Sequence, residues 1–392
     1  MHKKLARIGA ALLSLSAVAP LAHSASEIKI GFLTTLSGPG GALGADVRDG
    51  FQLAITHSGQ KLGGLPVQMN VVDDQQNPQT GRQSVERFLK RDKVDLVTGV
   101  VFSNVLLPVL PDILKNETFY LSTNTGPRDY AAEKCNKYFF ATAWQNEDIP
   151  AAMGKFATDK GYKRVAVIAP NYPGGRESAE GFKRLYKGQI VEEIYTKLGQ
   201  LDYAAELATI RQSKPDALFF FLPGGMGINF IKQFDGSGLN KQMALLAPGF
   251  SADDDTIRAV GDSLLGTFNS SQWAADLKND ANARFVADFT KTYGRPPTLY
   301  AAQAYDTAML IDSAVRKVKG KIEDRPAFHA ALKAADFSSI RGSFKFNNNQ
   351  YPIQNLYMRE VIKGPDGKIT NRMVSTVLTA HADAFASQCP MK

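Results

Sequence analysis

The chain has 392 residues, 44% of them hydrophobic and 21% charged, with a formal net charge of +8. That length exceeds what one core ordinarily serves, so two domains are expected, and the composition excludes a disordered or low-complexity chain. Three of the 46 basic residues, Lys3, Lys4 and Arg7, stand at the N-terminus. The rest are scattered in runs such as Lys90, Arg91 and Lys93 or Lys317, Lys319 and Lys321, without the interleaved aromatics of a nucleic-acid platform.

The chain opens on His2, Lys3, Lys4 and Arg7, an uncharged stretch from Ile8 to Ala22, and small residues around Ala22, Ser24 and Ala25. This predicts a cleavable export signal over 1–25 and a periplasmic destination. An uncleaved anchor is the alternative, but the stretch falls short of the ~20 residues of a membrane span. No cysteine stands at the cleavage point to carry a lipid.

A strand and Gly/Pro-rich loop follow at Ile28 to Gly41, then helices at Gly44 to His57 (Val47, Phe51 and Ala54 on one face) and Pro78 to Lys90 (Val85, Phe88, Leu89). Apolar strands at Val94 to Ser103 and Thr118 to Thr123 complete a first unit. The layout then returns: Arg164 to Gly175 repeats the opening strand and loop, Pro215 to Gly225 the second strand, and Gln242 to Pro248 the third. Helices at Asn146 to Lys160, Arg176 to Tyr186 and Ala204 to Gln212 fill the intervals, and Asn279 to Val318 reads as strongly helical. Alternating strands and helices predict parallel sheets with right-handed crossovers. Irregular polar stretches at Ala143 to Asn146, Phe268 to Trp273 and Phe346 to Gln354 are the natural passages between the units. The expected fold class is α/β, with two lobes joined by a three-crossover hinge. The first lobe is placed at 26–143 plus 273–346 and the second at 144–272 plus 347–392.

Cys135 and Cys389 are the only cysteines. In an oxidising compartment a lone pair reads as a disulfide that would staple the C-terminal tail; two thiols too distant to meet is the alternative. Catalytic motifs are missing: there is no G-x-S-x-G, H-E-x-x-H or C-x-x-C, and only His57, His329 and His381 lie beyond the signal. The loop S-G-P-G-G-A-L-G at Ser37 to Gly44 lacks the Gly-Lys-Ser/Thr of a phosphate cradle, and nothing places a nucleophile near the pair Asp73 and Asp74. No enzyme activity, metal or cofactor is expected.

The segments E-I-K-I-G-F-L-T-T-L-S-G-P-G-G-A-L-G, V-V-D-D, V-D-L-V-T-G-V-V-F-S-N, N-Y-P-G-G-R-E-S-A-E-G-F and Y-A-A-Q-A-Y-D-T-A, in that order, resemble the leucine/isoleucine/valine-binding protein family, type I periplasmic solute-binding proteins of ABC importers. The resemblance spans nearly the whole chain after the signal. It implies two Rossmann-like lobes that close on a ligand in the cleft between them and present it to a membrane permease. A branched-chain amino acid receptor and an exported sensor are the alternatives; the sensor needs a signalling segment that the sequence does not carry.

By its residues alone Ser103, at the end of a buried strand, reads as a helix N-cap. The resemblance implies that it grips a ligand carboxylate, with Asn124, Thr125 and Gly126 on the next loop adding contacts and Phe102 lining the wall. Two departures bear on the ligand. Where family amino-acid binders carry a glutamate in a G-P-E-G-like turn to pair with an ammonium, this chain reads A-P-G-F at Ala247 to Phe250. Asp253, Asp254 and Asp255 follow, either as a substitute or as solvated helix-start residues. The family's tyrosine after the preceding strand is replaced by P-G-G-M-G, placing Gly224 and Gly225 at the cleft, while Trp144, Tyr172, Phe250 and Tyr300 fall at matching loops. An ammonium buried without a partner is costly, so the pocket is expected to take a carboxylate on a flat or apolar body, an aromatic or keto acid. Trp144 stacks on the ligand, with Gln145 and Asn146 hydrogen-bonding it, or packs into the hinge; both readings stand. The protein is expected to act as a monomer.

Overall fold

The computed structural model describes residues 26–391; the predicted export signal lies outside them. The first sheet has six strands, β1 (Ile28–Thr34), β2 (Lys61–Leu62), β3 (Leu65–Asp73), β4 (Leu96–Thr98), β5 (Phe119–Ser122) and β6 (Phe139–Ala141), in the order β2-β3-β1-β4-β5-β6. All neighbours are parallel except the short β2–β3 pair. The second sheet joins β7 (Arg164–Pro170), β8 (Gln189–Thr196), β9 (Ala217–Phe220), β10 (Ala244–Pro248), β11 (Phe268–Ser271), β12 (Lys345–Phe346) and β13 (Pro352–Lys363) in the order β12-β13-β11-β10-β9-β7-β8, with β14 (Ile369–His381) paired to β13.

Strand for strand, β3-β1-β4-β5-β6 and β8-β7-β9-β10-β11 have the same order. The repeated strands of the sequence thus occupy equivalent places in two sheets. Their unbroken apolar character follows from burial on both faces: Phe32, Leu96, Leu121 and Phe140 in one sheet and Val167, Phe219 and Leu246 in the other are buried under covering helices. The antiparallel β13–β14 hairpin closes the edge of the second sheet at β11.

Two elements differ from expectation. Phe268 to Trp273 reads as a passage because its side chains are Asn and Ser, yet Phe268–Ser271 is strand β11. Its polar groups are satisfied inside: Asn269 donates to Asn371 Oδ1 at 2.6 Å and Ser270 to the Ile149 carbonyl at 2.7 Å. The helical region Asn279 to Val318 is two helices, Asp280–Tyr293 and Leu299–Lys317, parted at Gly294 with φ 68°, followed by Pro296 and Pro297.

The hinge passages are tied side by side. Ala141 N–H donates to the Gln350 carbonyl, and Gln354 Nε2 donates to the Ala143 carbonyl at 2.8 Å. Arg341, buried with Asp306 at 2.8 Å, donates also to the carbonyls of Thr142 and Ala143 and to Gln354 Oε1.

Cys135 and Cys389 are bonded, with Cα atoms 5.6 Å apart across a sequence separation of 254. The tail around Cys389 is also held by Asn348, which donates to the Ala386 carbonyl, and by Phe385, stacked under Arg128 and Arg184. Reduction, or Cys389→Ser, is expected to cost about 2–5 kcal/mol of unfolding free energy, as a native disulfide of an exported protein ordinarily contributes. Thermal denaturation with and without reductant measures it; identical curves would mean that the tail contacts alone hold the end.

Candidate ligand cleft between the lobes

Ligands of parallel α/β sheets sit beyond the carboxyl ends of the strands, where neighbouring connections diverge. Both lobes turn that edge toward each other. On the first, Phe102 after β4 is the N-cap of the helix Ser103–Lys115; on the second, Tyr172 after β7 is the N-cap of the helix Pro173–Leu185. Neither N-cap side chain accepts from its helix, so both helix starts turn the positive end of the dipole toward the gap, the first with the Ser103 N–H and the second, whose Pro173 has none, with those of Gly174 and Gly175. The lobes touch. A Cβ built on Gly174 would lie 3.1 Å from Ser103 Oγ, and one on Gly225 would lie 3.1 Å from Pro39 Cβ.

Between them lies a small cavity of about 30 Å³, room for a water or two in the nearly closed cleft. Nine predicted residues line it: Phe102, Ser103, Asn124, Thr125, Trp144, Asn146, Tyr172, Phe250 and Tyr300. One end is aromatic. Trp144 packs on Phe250 with ring centres 4.6 Å apart, and Phe250 meets Phe221 edge to face at 5.7 Å. Tyr172 stacks against Phe221 on one side and tilts against Phe102 on the other.

The other end is polar. Ser103 stands at the first helical position and not at the N-cap, so its hydroxyl is free of capping; it shares a 2.8 Å hydrogen bond with Thr125 Oγ1. Asn146 accepts from Gly126 N–H at 2.7 Å and directs its Nδ2 to Glu177 at 2.7 Å, with Ser103 Oγ at 3.5 Å. Burial pushes the Glu177 carboxyl up to about 7, against the pull of the Asn146 amide and the Arg128 N–H. Glu147 is buried behind this corner and paired with both Arg128 and Arg184.

Four predicted contacts fall outside the lining. Gly126 backs it: a Cβ there would lie 1.8 Å from the Trp144 carbonyl, so only glycine lets the loop and the hinge meet, and its N–H is taken by Asn146. Gln145 is buried with its carbonyl on Glu147 N–H. Gly224 and Gly225 face Pro39, at the contact between the lobes beside the cavity, and Gly224 has φ 65°. Asn124 lines the cavity, but its amide is committed. It donates to the Val101 carbonyl at 2.5 Å and accepts from Gln303, which also meets Gln272 in the hinge.

The structure also corrects the acidic run. Asp253, Asp254 and Asp255 are buried and not solvated, because the interface of the two lobes covers them. Asp253 pairs with Arg359 at 3.2 Å and accepts the Leu299 N–H of a first-lobe helix at 2.6 Å. None of the three lines the cavity.

The sequence reading missed Leu43, Val101, Gly174, Ser178, Phe221 and Pro223 as lining residues. Gly174 and Ser178 stand one helical turn apart just after the loop at Tyr172, a spacing that could have exposed them. Apart from tyrosine, no lining side chain titrates. Among the described residues, no cluster of His, Cys, Asp and Glu could hold a metal ion, and no helix is long and apolar enough to cross a membrane.

A family model described as periplasmic binding protein matches residues 27–367. The chain belongs to the periplasmic binding protein family. Among solved members, this periplasmic binding protein is similar to an ABC transporter solute-binding protein from R. palustris in complex with benzoate, at 30% identity over 93% of this chain and all of that one, with a TM-score of 0.88. It is also similar to one from Rhodopseudomonas palustris BisB5 in complex with 3,4-dihydroxybenzoic acid, at 27% identity over 92% of this chain and 99% of that one, with a TM-score of 0.84. A curated relative, Leu/Ile/Val-binding protein homolog 6 of Brucella melitensis biotype 1, is 25% identical over 383 residues, 95% of this chain and 97% of its own. The shared fold accounts for the two matched sheets and the cleft between them.

Proposed function

We propose that this periplasmic binding protein captures a small aromatic carboxylate in the inter-lobe cleft and delivers it, as a monomer in the periplasm, to the membrane permease of an ABC importer. The observation that carries this reading is the character of the lining: two uncapped helix starts and the Ser103 and Thr125 hydroxyls at one end, aromatic rings at the other, and no carboxylate on the wall. An anion gains from the helix dipoles and free amides. The ammonium of an amino acid would meet no carboxylate on the wall, since Glu177 lies behind Asn146 and is turned to that amide and the Arg128 N–H. The ligand complexes of the R. palustris relatives, benzoate and 3,4-dihydroxybenzoate, have the same chemistry.

In this reading the ligand docks first on Ser103 and Thr125, with its ring between Phe102 and Trp144, and closure of the second lobe brings Tyr172 and Phe250 over it. Closure is favoured only as far as the ligand contacts the closed lobes better. Calorimetric titration with benzoate, 4-hydroxybenzoate, phenylalanine and leucine tests it. Aromatic acids are expected to bind and amino acids not, and Ser103→Ala is expected to weaken the acids about tenfold or more, or ~1.4 kcal/mol. Binding of leucine in preference to benzoate would overturn the ligand assignment, and unchanged affinity in Ser103→Ala would overturn the role of that hydroxyl.

A further inference from the structure

We propose that the second lobe carries its own carboxylate subsite, made by the start of the helix Pro173–Leu185 and the Ser178 hydroxyl, so that the ligand's anionic group is gripped from both lobes. This rests on the carboxylate-receptor reading and deepens it, because it assigns the contact that makes closure depend on the ligand.

Ser178 is 1% exposed, lines the cavity, and its hydroxyl has no hydrogen-bond partner among the described residues. A buried hydroxyl in a helix normally turns back to the carbonyl one turn earlier. Other helices of this protein show it: the buried Ser84 donates to the Thr80 carbonyl at 2.8 Å and the buried Thr307 to the Gln303 carbonyl at 2.8 Å. Ser178 makes no such bond to Gly174, so a buried polar group is left for something in the cavity to satisfy.

The helix start is open in the same direction. Tyr172 makes no capping bond to it, and because Pro173 has no N–H the amides it offers are those of Gly174 and Gly175. Its first turn carries glycines where side chains would screen the amides. Gly174, one turn before Ser178, brings its backbone against Ser103 of the other lobe, since an added Cβ would lie 3.1 Å from the serine oxygen. The hydroxyl of Ser103, the opening amides of the second-lobe helix and the Ser178 hydroxyl therefore surround one end of the cavity. Glu177 is the acidic group closest to this corner in the sequence, and its carboxylate is turned to Asn146 Nδ2 and the Arg128 N–H. A carboxylate placed here shares its two oxygens between the lobes, and the open form would offer it only the first-lobe half.

The test is calorimetric titration of wild type, Ser178→Ala and Gly174→Ala with benzoate and 4-hydroxybenzoate. Thermal denaturation of the unliganded variants checks that they fold. Ser178→Ala is expected to lose about tenfold in affinity for both acids alike, as expected for one lost hydrogen bond to a charged group. Gly174→Ala places a methyl 3.0 Å from the Tyr172 ring of its own lobe and 3.1 Å from Ser103 Oγ of the other, and is expected to lose at least as much, with the unliganded fold intact. Unchanged affinity in Ser178→Ala overturns the subsite. A loss confined to 4-hydroxybenzoate also overturns it, because Ser178 would then read the ring hydroxyl. Failure of the wild type to bind either acid overturns the receptor reading itself, and this proposal with it.

Discussion

Replacing Arg341 with alanine is expected to lower the unfolding free energy by about 3–5 kcal/mol, the cost of removing one partner of a buried ion pair. Arg341 and Asp306 are both shielded from water, at 2% and 0% side-chain exposure, so the remaining carboxylate would keep only the Ser339 hydroxyl and the Ile340 N–H. The guanidinium also serves the Thr142 and Ala143 carbonyls and Gln354 Oε1, all at the hinge passages. Its loss strands the Thr142 carbonyl, while that of Ala143 keeps Gln354 Nε2, in a site that methionine would fill without satisfying. Arg341→Met is therefore expected to recover packing but little stability. Chemical denaturation of both variants gives the answer, and a loss below ~1 kcal/mol in Arg341→Ala would mean that water enters the hinge and replaces the side chain. Because Ala143 leads directly into Trp144, ligand affinity is expected to fall in the same variants.

The protein is expected to lose stability as pH rises from about 5 to 8, and Asp255→Asn is expected to remove a good part of that loss. Burial, with the neighbouring Asp253 and Asp46 carboxylates, pushes Asp255 up to about 7. Both its oxygens are buried without a partner among the described residues. Asp254 is raised to about 7 by burial and Asp253, against the pull of Arg359 and Arg258, and Asp46 to about 6 by burial, against Arg295 and the Thr298 hydroxyl. A carboxyl raised in the folded state holds its proton there after the unfolded chain has released it, above the ordinary value of 3.8. The folded form then binds more protons, and stability falls with pH through the folded values, toward 7. At pH 8 an ionised Asp255 costs the fold, whereas asparagine of the same shape carries no charge. Asp255→Asn is expected to gain about 1–3 kcal/mol at pH 8 and little at pH 5. Melting curves across that range measure it; an equal effect at both values would show that charge is not the cause.

Much of the cleft was legible from particular residues. Ser103 and Tyr172 end apolar runs where a strand must give way to a helix, and Trp144 and Phe250 follow β6 and β10 at the facing edges of the two sheets. The missing counter-charge at Ala247 to Phe250 was equally visible, and the cavity wall carries no carboxylate. Other features were hidden by their chemistry. The F-N-S-S run of β11 looks like a loop because its polarity is answered by residues 102 and 121 positions away, Asn371 and Ile149. Asp253 to Asp255 look solvated for the same reason: Arg359 and the Leu299 amide, which hold Asp253, lie far along the chain.

The sequence by itself determined the α/β class, the doubled strand order and the edge of the sheets where a ligand belongs, because each follows from local periodicity and from the alternation of strand and helix. Only the tertiary structure decided which polar groups of that edge are spent and which are free. Asn124 and Gln145 look like ligand contacts in the sequence, yet Asn124's amide is consumed by Val101 and Gln303 and Gln145 stands off the cavity wall with its Nε2 unpartnered, whereas Ser178, unremarkable in its helix, keeps a buried hydroxyl free at the cavity. A hydrogen bond is settled by the atoms within about 3 Å, and most of those come from distant parts of the chain.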